Sequence, residues 1–200
     1  MLAAIVLAAG QGSRFGSQKL LAPIRTKPLV RVTVENVLTA AVDDVVVVVG
    51  RDADGVQAAL VGLQVRFAEN RNYANGMSTS VMAGIEALLP GTDLALIALG
   101  DQPGITPNII RRLIEAQRVS RKPIVVPMYA GQRGNPVLFR SDFFPELATI
   151  HGDHGARDLI LSDPERVEFV EFPFPPPADI DTRQDYDAML QLVDGAIKRK

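Results

Sequence analysis

The chain has 200 residues, a formal net charge of −2 at pH 7 and no cysteine. That length suits one compact domain over residues 1–200, and the missing cysteines exclude disulfides, iron–sulfur clusters, zinc ribbons and thiol nucleophiles. The two histidines, His151 and His154, are too few for a zinc site built on three histidines, so a divalent cation would need mostly oxygen ligands. The slightly acidic balance argues against duplex nucleic acid as a partner, because such a partner favours a basic surface.

No apolar run in the sequence approaches the ~20 residues that are needed to cross a bilayer. The first apolar stretch, Met1–Ala9, has no positive segment before it and runs directly into a glycine-rich loop, which disfavours a secretory signal. We therefore expect a cytoplasmic protein whose partners include neither a membrane nor a nucleic acid.

The first half of the chain alternates short apolar strands with helices. Val45–Val49 is an unbroken run of valine, which is typical of a strand buried on both faces. Pro28 suits a first helical turn, and Thr106 followed by Pro107 predicts a helix N-terminus. In chain order we predict strand Ala4–Ala8, helix Pro28–Ala40, strand Asp44–Gly50, helix Asp54–Leu60, strand Leu63–Ala68, helix Ser80–Leu89, strand Asp93–Leu99 and helix Thr106–Arg118.

The second half continues the alternation with shorter elements. We predict strand Ile124–Pro127, a turn at Gly131–Gly134, strand Pro136–Phe139, helices Ser141–Leu147 and Gly155–Leu161, strand Arg166–Phe172, an extended spacer Pro173–Pro177, strand Ala178–Asp181 and a terminal helix Thr182–Lys198. Apolar strands that alternate with helices predict an α/β fold: a single-domain three-layer α/β/α sandwich around a mostly parallel, Rossmann-like sheet. Ligands of such sheets bind at the carboxyl ends of the strands, so the residues just after each strand are the candidates for the site.

A glycine-rich loop follows the first predicted strand. Its glycines at 10, 12 and 16 allow backbone N–H groups to approach phosphate oxygens closely, and Arg14 and Lys19 add positive charge. The loop is not a Walker A loop, because the lysine does not follow the last glycine, and its third glycine comes one residue late for the dinucleotide fingerprint. The pattern predicts a phosphate site, with a plain glycine-rich turn as the alternative.

Two later strands are predicted to end in aspartates. Asp101 lies on the sharp turn Gly100–Pro103, where a carboxylate can hold a hard cation that phosphates also bind. Asp179 and Asp181 alternate onto one face of the last predicted strand. We expect Asp181 to be the second cation ligand, and the alternative is that Asp181 or Thr182 caps the terminal helix.

These residues carry a resemblance to a known family. The pattern Leu7-Ala8-Ala9-Gly10-x-Gly12-x-Arg14-x-Gly16-x-x-Lys19 resembles the signature loop of nucleotidyltransferases of the glycosyltransferase-A-like superfamily. Across nearly its whole length the chain resembles the molybdenum cofactor cytidylyltransferases, which implies a sandwich of the nucleotide-diphospho-sugar transferase type. The other matching segments, in the family's order, are Asn72–Ser80, Gly100–Pro103, Gly134–Phe139, Gly152–Arg157 and Asp179–Asp185.

The resemblance implies a transferase that moves CMP from CTP to the terminal phosphate of molybdopterin or molybdenum cofactor, releases pyrophosphate and depends on Mg²⁺. It assigns catalysis to Lys19, Arg14 and Asp101, and Mg²⁺ binding to Asp101 and Asp181. Ala9 favours CTP, because guanylyl relatives tend to carry glycine there and a methyl group leaves less room for a purine. The implied nucleotide-binding residues are Leu7, Ala8, Ala9, Gly10, Gln11, Gly12, Ser13, Arg14, Lys19, Asn75, Gly76, Ser78, Ser80 and Gly100.

The acceptor is expected to contact Gln102, Asn135, His154 and Arg157. Arg157 lies at a predicted helix start, and a guanidinium binds phosphate in a bidentate manner. Asn135 stands where many cytidylyl relatives have histidine, and it keeps a hydrogen-bonding side chain that cannot become charged. A molybdoenzyme or its chaperone would receive the product. Two alternatives stay open: a guanylyltransferase or other small nucleotidyltransferase, and a non-catalytic carrier, which would not need two cation-binding carboxylates.

Overall fold

The computed structural model describes residues 1–10, 15, 18–150, 152 and 156–197. Their strands are, in chain order, β1 (Leu2–Ala8), β2 (Pro23–Ile24), β3 (Lys27–Pro28), β4 (Asp44–Val49), β5 (Arg66–Glu69), β6 (Leu94–Leu99), β7 (Ile124–Tyr129), β8 (Gln132–Arg133), β9 (Val137–Arg140) and β10 (Val167–Phe172). The helices are α1 (Leu29–Leu38), α2 (Ala53–Ala59), α3 (Met77–Glu86), α4 (Pro107–Ser120), α5 (Phe144–Leu147), α6 (Arg157–Ser162) and α7 (Arg183–Ile197).

One mixed sheet organises this part of the chain, with the strand order β10-β7-β9-β6-β1-β4-β5 and with β8 paired to β7. Strand β1 runs parallel to both β4 and β6, β4 is parallel to β5, and β7 is parallel to β10. Strand β9 is antiparallel to its neighbours β6 and β7. The prediction of a mostly parallel sheet is confirmed.

Alternate residues of the central strands supply two separate cores, one on each face of the sheet. Val6 and Val47 face a core that α1, α2 and α4 complete, with Val34 as one of its helical members. Ile5 and Val48 face a second core that α3, α5 and α6 complete. Because a β-strand sends successive side chains to opposite faces, a valine run in a doubly covered strand serves both cores. The predicted three-layer α/β/α sandwich is confirmed.

A third, smaller core lies beside the first helix and brings distant parts of the chain together. Phe15 and Tyr186 meet edge to face, with their ring centroids 5.7 Å apart, and both pack with the fully buried Ile180. The Tyr186 hydroxyl donates a hydrogen bond to the carbonyl oxygen of Pro23. This core therefore fixes the segment before α7 against the chain that follows the glycine-rich loop.

The segment before α7 differs from its prediction, because Ala178–Asp181 forms no strand in the structure. Among the described residues its backbone makes one hydrogen bond to the turn after β6, from Ile180 N to the carbonyl oxygen of Asp101 at 3.3 Å, and the burial of Ile180 helps to fix it. The strand was predicted because apolar and acidic residues alternate here. An irregular segment that buries one apolar side chain between two aspartates has the same sequence pattern.

Several element boundaries also shift. Helix α3 begins at Met77 rather than Ser80, since Gly76 precedes it with a φ of 103° that glycine tolerates. Thr182 caps α7: its hydroxyl oxygen accepts from Asp185 N at 3.2 Å, and the Asp185 carboxylate accepts from Thr182 N at 2.7 Å. The cap is therefore Thr182 and not Asp181. None of the described helices combines the length and the apolar character that crossing a bilayer requires.

Candidate active site

A cavity of about 420 Å³ opens at the carboxyl edge of the sheet, where β1, β4 and β6 end. Gly100 N donates to the carbonyl oxygen of Leu7 at 2.9 Å, so the turn after β6 lies directly beside the end of β1. The lining includes Leu7, Ala9, Gly10, Lys19, Asp52, Tyr73, Gly76, Met77, Ser80 and Asp101. This is the edge at which ligands of parallel sheets bind.

Lys19 joins the two aspartates that were predicted as cation ligands. Its Nζ donates to Asp101 Oδ2 at 2.6 Å and to Asp181 Oδ1 at 2.9 Å, and its side chain is 11% exposed. Burial acts to lower the pKa of Lys19, but the charges and hydrogen bonds of both aspartates outweigh it and raise that pKa above its ordinary value. Lys19 is therefore a charged ammonium group at neutral pH.

A third carboxylate, Asp179, lies behind this pair. Its Oδ1 accepts a hydrogen bond from Gln102 Nε2 at 2.5 Å. Burial, then the charge of Asp101, raises the pKa of Asp179, and the charge of Asp181 adds to the rise. Negative charge is thus concentrated where the segment before α7 meets the turn after β6.

The donor set suits a hard divalent cation. Asp101 Oδ1 is buried and has no hydrogen-bond partner in the part of the chain that the structure describes. Leaving a buried polar atom unsatisfied costs about 1–3 kcal/mol, and a bound cation would satisfy this oxygen. Within the described residues, no group of three or more His, Asp or Glu side chains is placed to hold a metal ion. Asp101 and Asp181 would therefore share the cation with phosphate or water oxygens.

Helix α1 holds the turn that carries Asp101. The fully buried Thr33 donates through Oγ1 to the carbonyl oxygen of Gly100 at 3.1 Å. One helical turn later, Asn36 Nδ2 donates to the carbonyl oxygen of Pro103 at 3.1 Å. Both ends of the turn are thus anchored to one rigid element.

Ala9 forms part of a close-packed cavity wall. A Cβ atom at Gly50 would lie 2.8 Å from the Ala9 Cβ and 3.0 Å from the Tyr73 Cβ. Only a residue without a Cβ at position 50 lets the Ala9 methyl group and Tyr73 approach this closely. The predicted alanine methyl group therefore borders the cavity.

The other predicted nucleotide-binding residues that the structure describes divide into three groups. Leu7, Gly10, Lys19, Gly76 and Ser80 line the cavity together with Ala9. Ala8 packs instead into the core beneath α1, and Ser78 is buried in α3. Asn75 ends a short 3₁₀ turn just before Gly76, and Gly100 backs the cavity through its hydrogen bond to Leu7.

Some predicted residues lie outside the described part of the chain. These are Gln11, Gly12, Ser13, Arg14 and His154. Arg157 begins α6, and its side chain also lies outside that part.

A second cavity, of about 550 Å³, adjoins the first and shares Leu7, Met77 and Leu99 with it. Its floor and walls are mainly apolar, and the predicted acceptor residue Asn135 lines it beside Gln132 and Arg133. The Asn135 carbonyl oxygen accepts from the Tyr129 hydroxyl at 2.8 Å, which fixes this part of the rim.

The sequence interpretation missed lining residues of both cavities, among them three with polar side chains, and it placed one residue differently. Asp52 and Tyr73 line the first cavity and Arg133 the second. Asp52 follows β4, so the rule about strand ends could have found it. Gln102, expected to contact the acceptor, is 5% exposed and directs its amide nitrogen to Asp179.

Comparisons with known proteins agree with this architecture. Residues 4–167 match the model of a family described as the MobA-like NTP transferase domain. The nicotine blue oxidoreductase of Paenarthrobacter nicotinovorans is 31% identical over 197 residues, which cover 94% of this chain and 93% of that protein. Several bifunctional proteins named GlmU also match, over only about a quarter of their own length.

Several solved structures have the same fold as this chain. Rv0371c of Mycobacterium tuberculosis superposes with a TM-score of 0.86 at 29% identity, over 95% of this chain and 97% of that one. A manganese complex of Rv0371c has also been solved, and it matches with a TM-score of 0.83 at 28% identity, over 95% of this chain and 98% of that one. A nucleotidyl transferase from Methanothermobacter matches with a TM-score of 0.83 at 28% identity, over 100% of this chain and 99% of that one.

Proposed function

The chain belongs to the family of MobA-like NTP transferase domains, and from that premise we propose that it transfers CMP from CTP to the terminal phosphate of molybdopterin or molybdenum cofactor, releasing pyrophosphate with Mg²⁺ as cofactor. As a member of this family it is a nucleotidyltransferase that uses a nucleoside triphosphate. One observation carries the proposal: Lys19 joins Asp101 and Asp181 beside the cavity at the end of β1.

The chemistry requires positioning and charge stabilisation rather than a protein nucleophile. An oxygen of the acceptor phosphate forms a bond to the α-phosphorus of CTP, and the bond from that phosphorus to pyrophosphate breaks. Asp101 and Asp181 would hold Mg²⁺, which when bound supplies positive charge against the phosphates. Lys19 would stabilise the negative charge that accumulates on the departing pyrophosphate, and Arg14 is proposed to assist it.

The shape of the first cavity supports CTP as the donor. The methyl group of Ala9 is fixed against Gly50 and Tyr73, so that wall cannot retreat without repacking the end of β4. A pyrimidine needs less room beside such a wall than a purine does. The nucleotide would extend from this wall toward Lys19 and Asp101.

The second cavity supports an acceptor with a ring system and a phosphate. It adjoins the first cavity at Leu7, Met77 and Leu99, so a molecule bound there would present one end to the nucleotide. Its apolar floor suits a flat ring, while Asn135 and Arg133 offer hydrogen bonds and charge at the rim. His154 and Arg157 are proposed to bind the acceptor phosphate, and a molybdoenzyme or its chaperone is proposed to receive the product.

The direct test is the mass of the products formed from molybdopterin, Mg²⁺ and each of CTP, GTP and ATP. We expect a product heavier by one cytidylyl group, together with pyrophosphate, from CTP alone. Turnover with GTP but not with CTP would instead support a guanylyltransferase. Absence of pyrophosphate release with all three nucleotides would overturn the proposal.

The Asp101→Ala variant distinguishes an enzyme from a non-catalytic carrier of the nucleotide or cofactor. A carrier needs no cation-binding carboxylate, so it would keep its function in cells after this change. We expect the variant to lose product formation, with Asp142→Ala, which removes an exposed carboxylate paired with Arg140, as the matched control.

A further inference from the structure

The carboxylates of the site come from two segments that no sheet ladder joins. Asp101 follows β6, whereas Asp179 and Asp181 lie in the irregular segment before α7. Two carboxylates serve one cation only if their separation is maintained, to within about 0.5 Å in well-ordered sites. The contacts that tie these segments together therefore bear directly on cation binding.

In addition to the bridge that Lys19 makes, three contacts join the two segments. Ile180 N donates to the carbonyl oxygen of Asp101 at 3.3 Å. A Cβ atom at Gly104 would lie 3.1 Å from the Pro177 Cβ, so the two backbones pack closely. The third contact is the hydrogen bond from Gln102 Nε2 to Asp179 Oδ1, at 2.5 Å, and it involves a residue that is 5% exposed.

The orientation of the Gln102 amide is dictated by Asp179. Turning the amide over would set its oxygen against an oxygen of the ionised Asp179 carboxylate, which has no proton to donate. In the observed orientation Gln102 Oε1 is buried without a hydrogen-bond partner among the described residues.

Gln102 also has a rigid base. The carbonyl oxygens of Gly100 and Pro103, on either side of it, accept hydrogen bonds from Thr33 and Asn36 of α1. A glutamine fixed in this way can transmit the position of the turn to the segment that it contacts. The bridge through Lys19 serves the same end in the free protein, but Lys19 is expected to turn to the nucleotide phosphates when CTP binds.

We propose that Gln102 is a positioning residue whose amide holds Asp179, and through it Asp181, at the separation from Asp101 that lets the two carboxylates share one divalent cation. The proposal rests on the proposed function for its cation and nucleotide. Asp179 acts in it as a hydrogen-bond acceptor and not as a cation ligand.

The test measures Mn²⁺ binding by the protein in the presence of CTP, from the electron paramagnetic resonance signal of free Mn²⁺, with no acceptor present. A protein-free mixture of Mn²⁺ and CTP gives the signal lost to the complex that CTP itself forms with the ion, and this loss is subtracted. We expect Gln102→Leu to weaken Mn²⁺ binding by about 10-fold or more, the scale on which outer-shell partners act. CTP binding in EDTA should change by less than about twofold. Gln57→Leu, on the exposed face of α2, is the matched control and should bind Mn²⁺ as the wild type does.

Variants of Asp179 distinguish positioning from direct ligation. Asp179→Asn keeps an oxygen that accepts from Gln102, so we expect its Mn²⁺ affinity within about threefold of wild type. Asp179→Ala should match Gln102→Leu, and the double variant should be no weaker than either single variant, because all three lose one shared hydrogen bond. These variants also test the proposal if Gln102→Leu does not fold.

The two proposals fail differently. A wild-type protein that binds no Mn²⁺ with CTP would overturn the proposed function, and this inference with it. Normal wild-type binding with unaffected binding by folded Gln102→Leu would overturn the inference alone. The inference is also overturned if Asp179→Asn is as weak as Asp179→Ala, since the carboxylate charge itself would then be required.

Discussion

At the scale of single residues, Lys19 supplies the positive charge that offsets the carboxylates of the site. The carboxylates of Asp101 and Asp181 both accept hydrogen bonds from its ammonium group, and the charge of that group also acts on Asp179. The side chain of Lys19 is largely buried, and that of Asp101 is 19% exposed, so their attraction is screened less than that of a surface pair. The free protein thus keeps an internal cation where the reaction is expected to need positive charge.

Replacing Lys19 by methionine should therefore separate turnover from binding. We expect kcat to fall by about 100-fold or more, the usual loss when one stabilising donor is removed, while CTP affinity falls by less than about tenfold. Lys19 matters most as pyrophosphate leaves, and interactions stronger in the transition state affect kcat. Steady-state kinetics with a direct CTP-binding measurement checks this, with Lys27→Met, an exposed lysine paired with Glu35, as the control. Equal and small effects on both quantities would contradict the assigned role.

At the scale of elements, α1 supports the site from below the sheet edge. The Thr33 hydroxyl has two acceptors in range. It lies 3.1 Å from the carbonyl oxygen of Gly100 and 3.4 Å from the carbonyl oxygen of Leu29, which belongs to the same helix. The turn after β6 therefore depends on a helix that lies far from it in sequence.

The Thr33→Val variant measures this support. Valine matches the shape of threonine but leaves the Gly100 carbonyl oxygen without its donor, so we expect a loss of about 1–3 kcal/mol in the free energy of unfolding. Thr39→Val is the matched control, because the Thr39 hydroxyl bonds only at the exposed end of α1. Chemical denaturation of both variants checks the difference, and equal small losses would show that the Thr33 hydrogen bond contributes little.

The packing of α3 onto the sheet depends on a glycine. A Cβ atom at Gly84 would lie 2.4 Å from Ile5 Cγ2, a branched methyl group in the fully buried centre of β1. We expect Gly84→Ala to lower the free energy of unfolding by about 1–3 kcal/mol, as overpacking of a core usually does.

The matched control for that prediction is Gly55→Ala in α2. Its Cβ would meet the tip of the Leu21 side chain at 2.7 Å, and a flexible side chain can move away. Urea denaturation should place Gly55→Ala near the wild type and Gly84→Ala clearly below it. A reversed order would show that α3 is not packed on β1 as described.

The elements also show how far the sequence interpretation reaches. The valine run of β4 and the capping residues around α7 encode their structure locally; the strand was predicted, and a cap by Asp181 or Thr182 was the stated alternative to cation binding. The structure places Asp101 and Asp181 in contact with the same Lys19 ammonium group, but the strand predicted over Ala178–Asp181 is wrong, because the burial of Ile180 holds an irregular segment there. The hydrogen bond between Gln102 and Asp179 joins residues 77 positions apart, and no local pattern encodes such a contact.

At the scale of the whole molecule, the fold places two adjoining cavities at one edge of the sheet. The first is bordered by Ala9, Lys19 and Asp101, and the second has an apolar floor with Asn135 and Arg133 at its rim. A two-substrate transferase needs this arrangement, since its donor and acceptor must meet at one point. The family membership and the site geometry therefore support the same class of reaction.

The most direct test of that claim follows the phosphorus atoms of CTP in a mixture with molybdopterin and Mg²⁺. With CTP labelled at the α-phosphate, the label should appear in the acceptor product; with label at the γ-phosphate, it should appear in pyrophosphate. The Asp101→Asn variant, which keeps the shape of the side chain and removes its charge, should abolish both transfers. Release of γ-label as inorganic phosphate with none of the α-label in the acceptor, or transfer that persists in Asp101→Asn, would contradict the account.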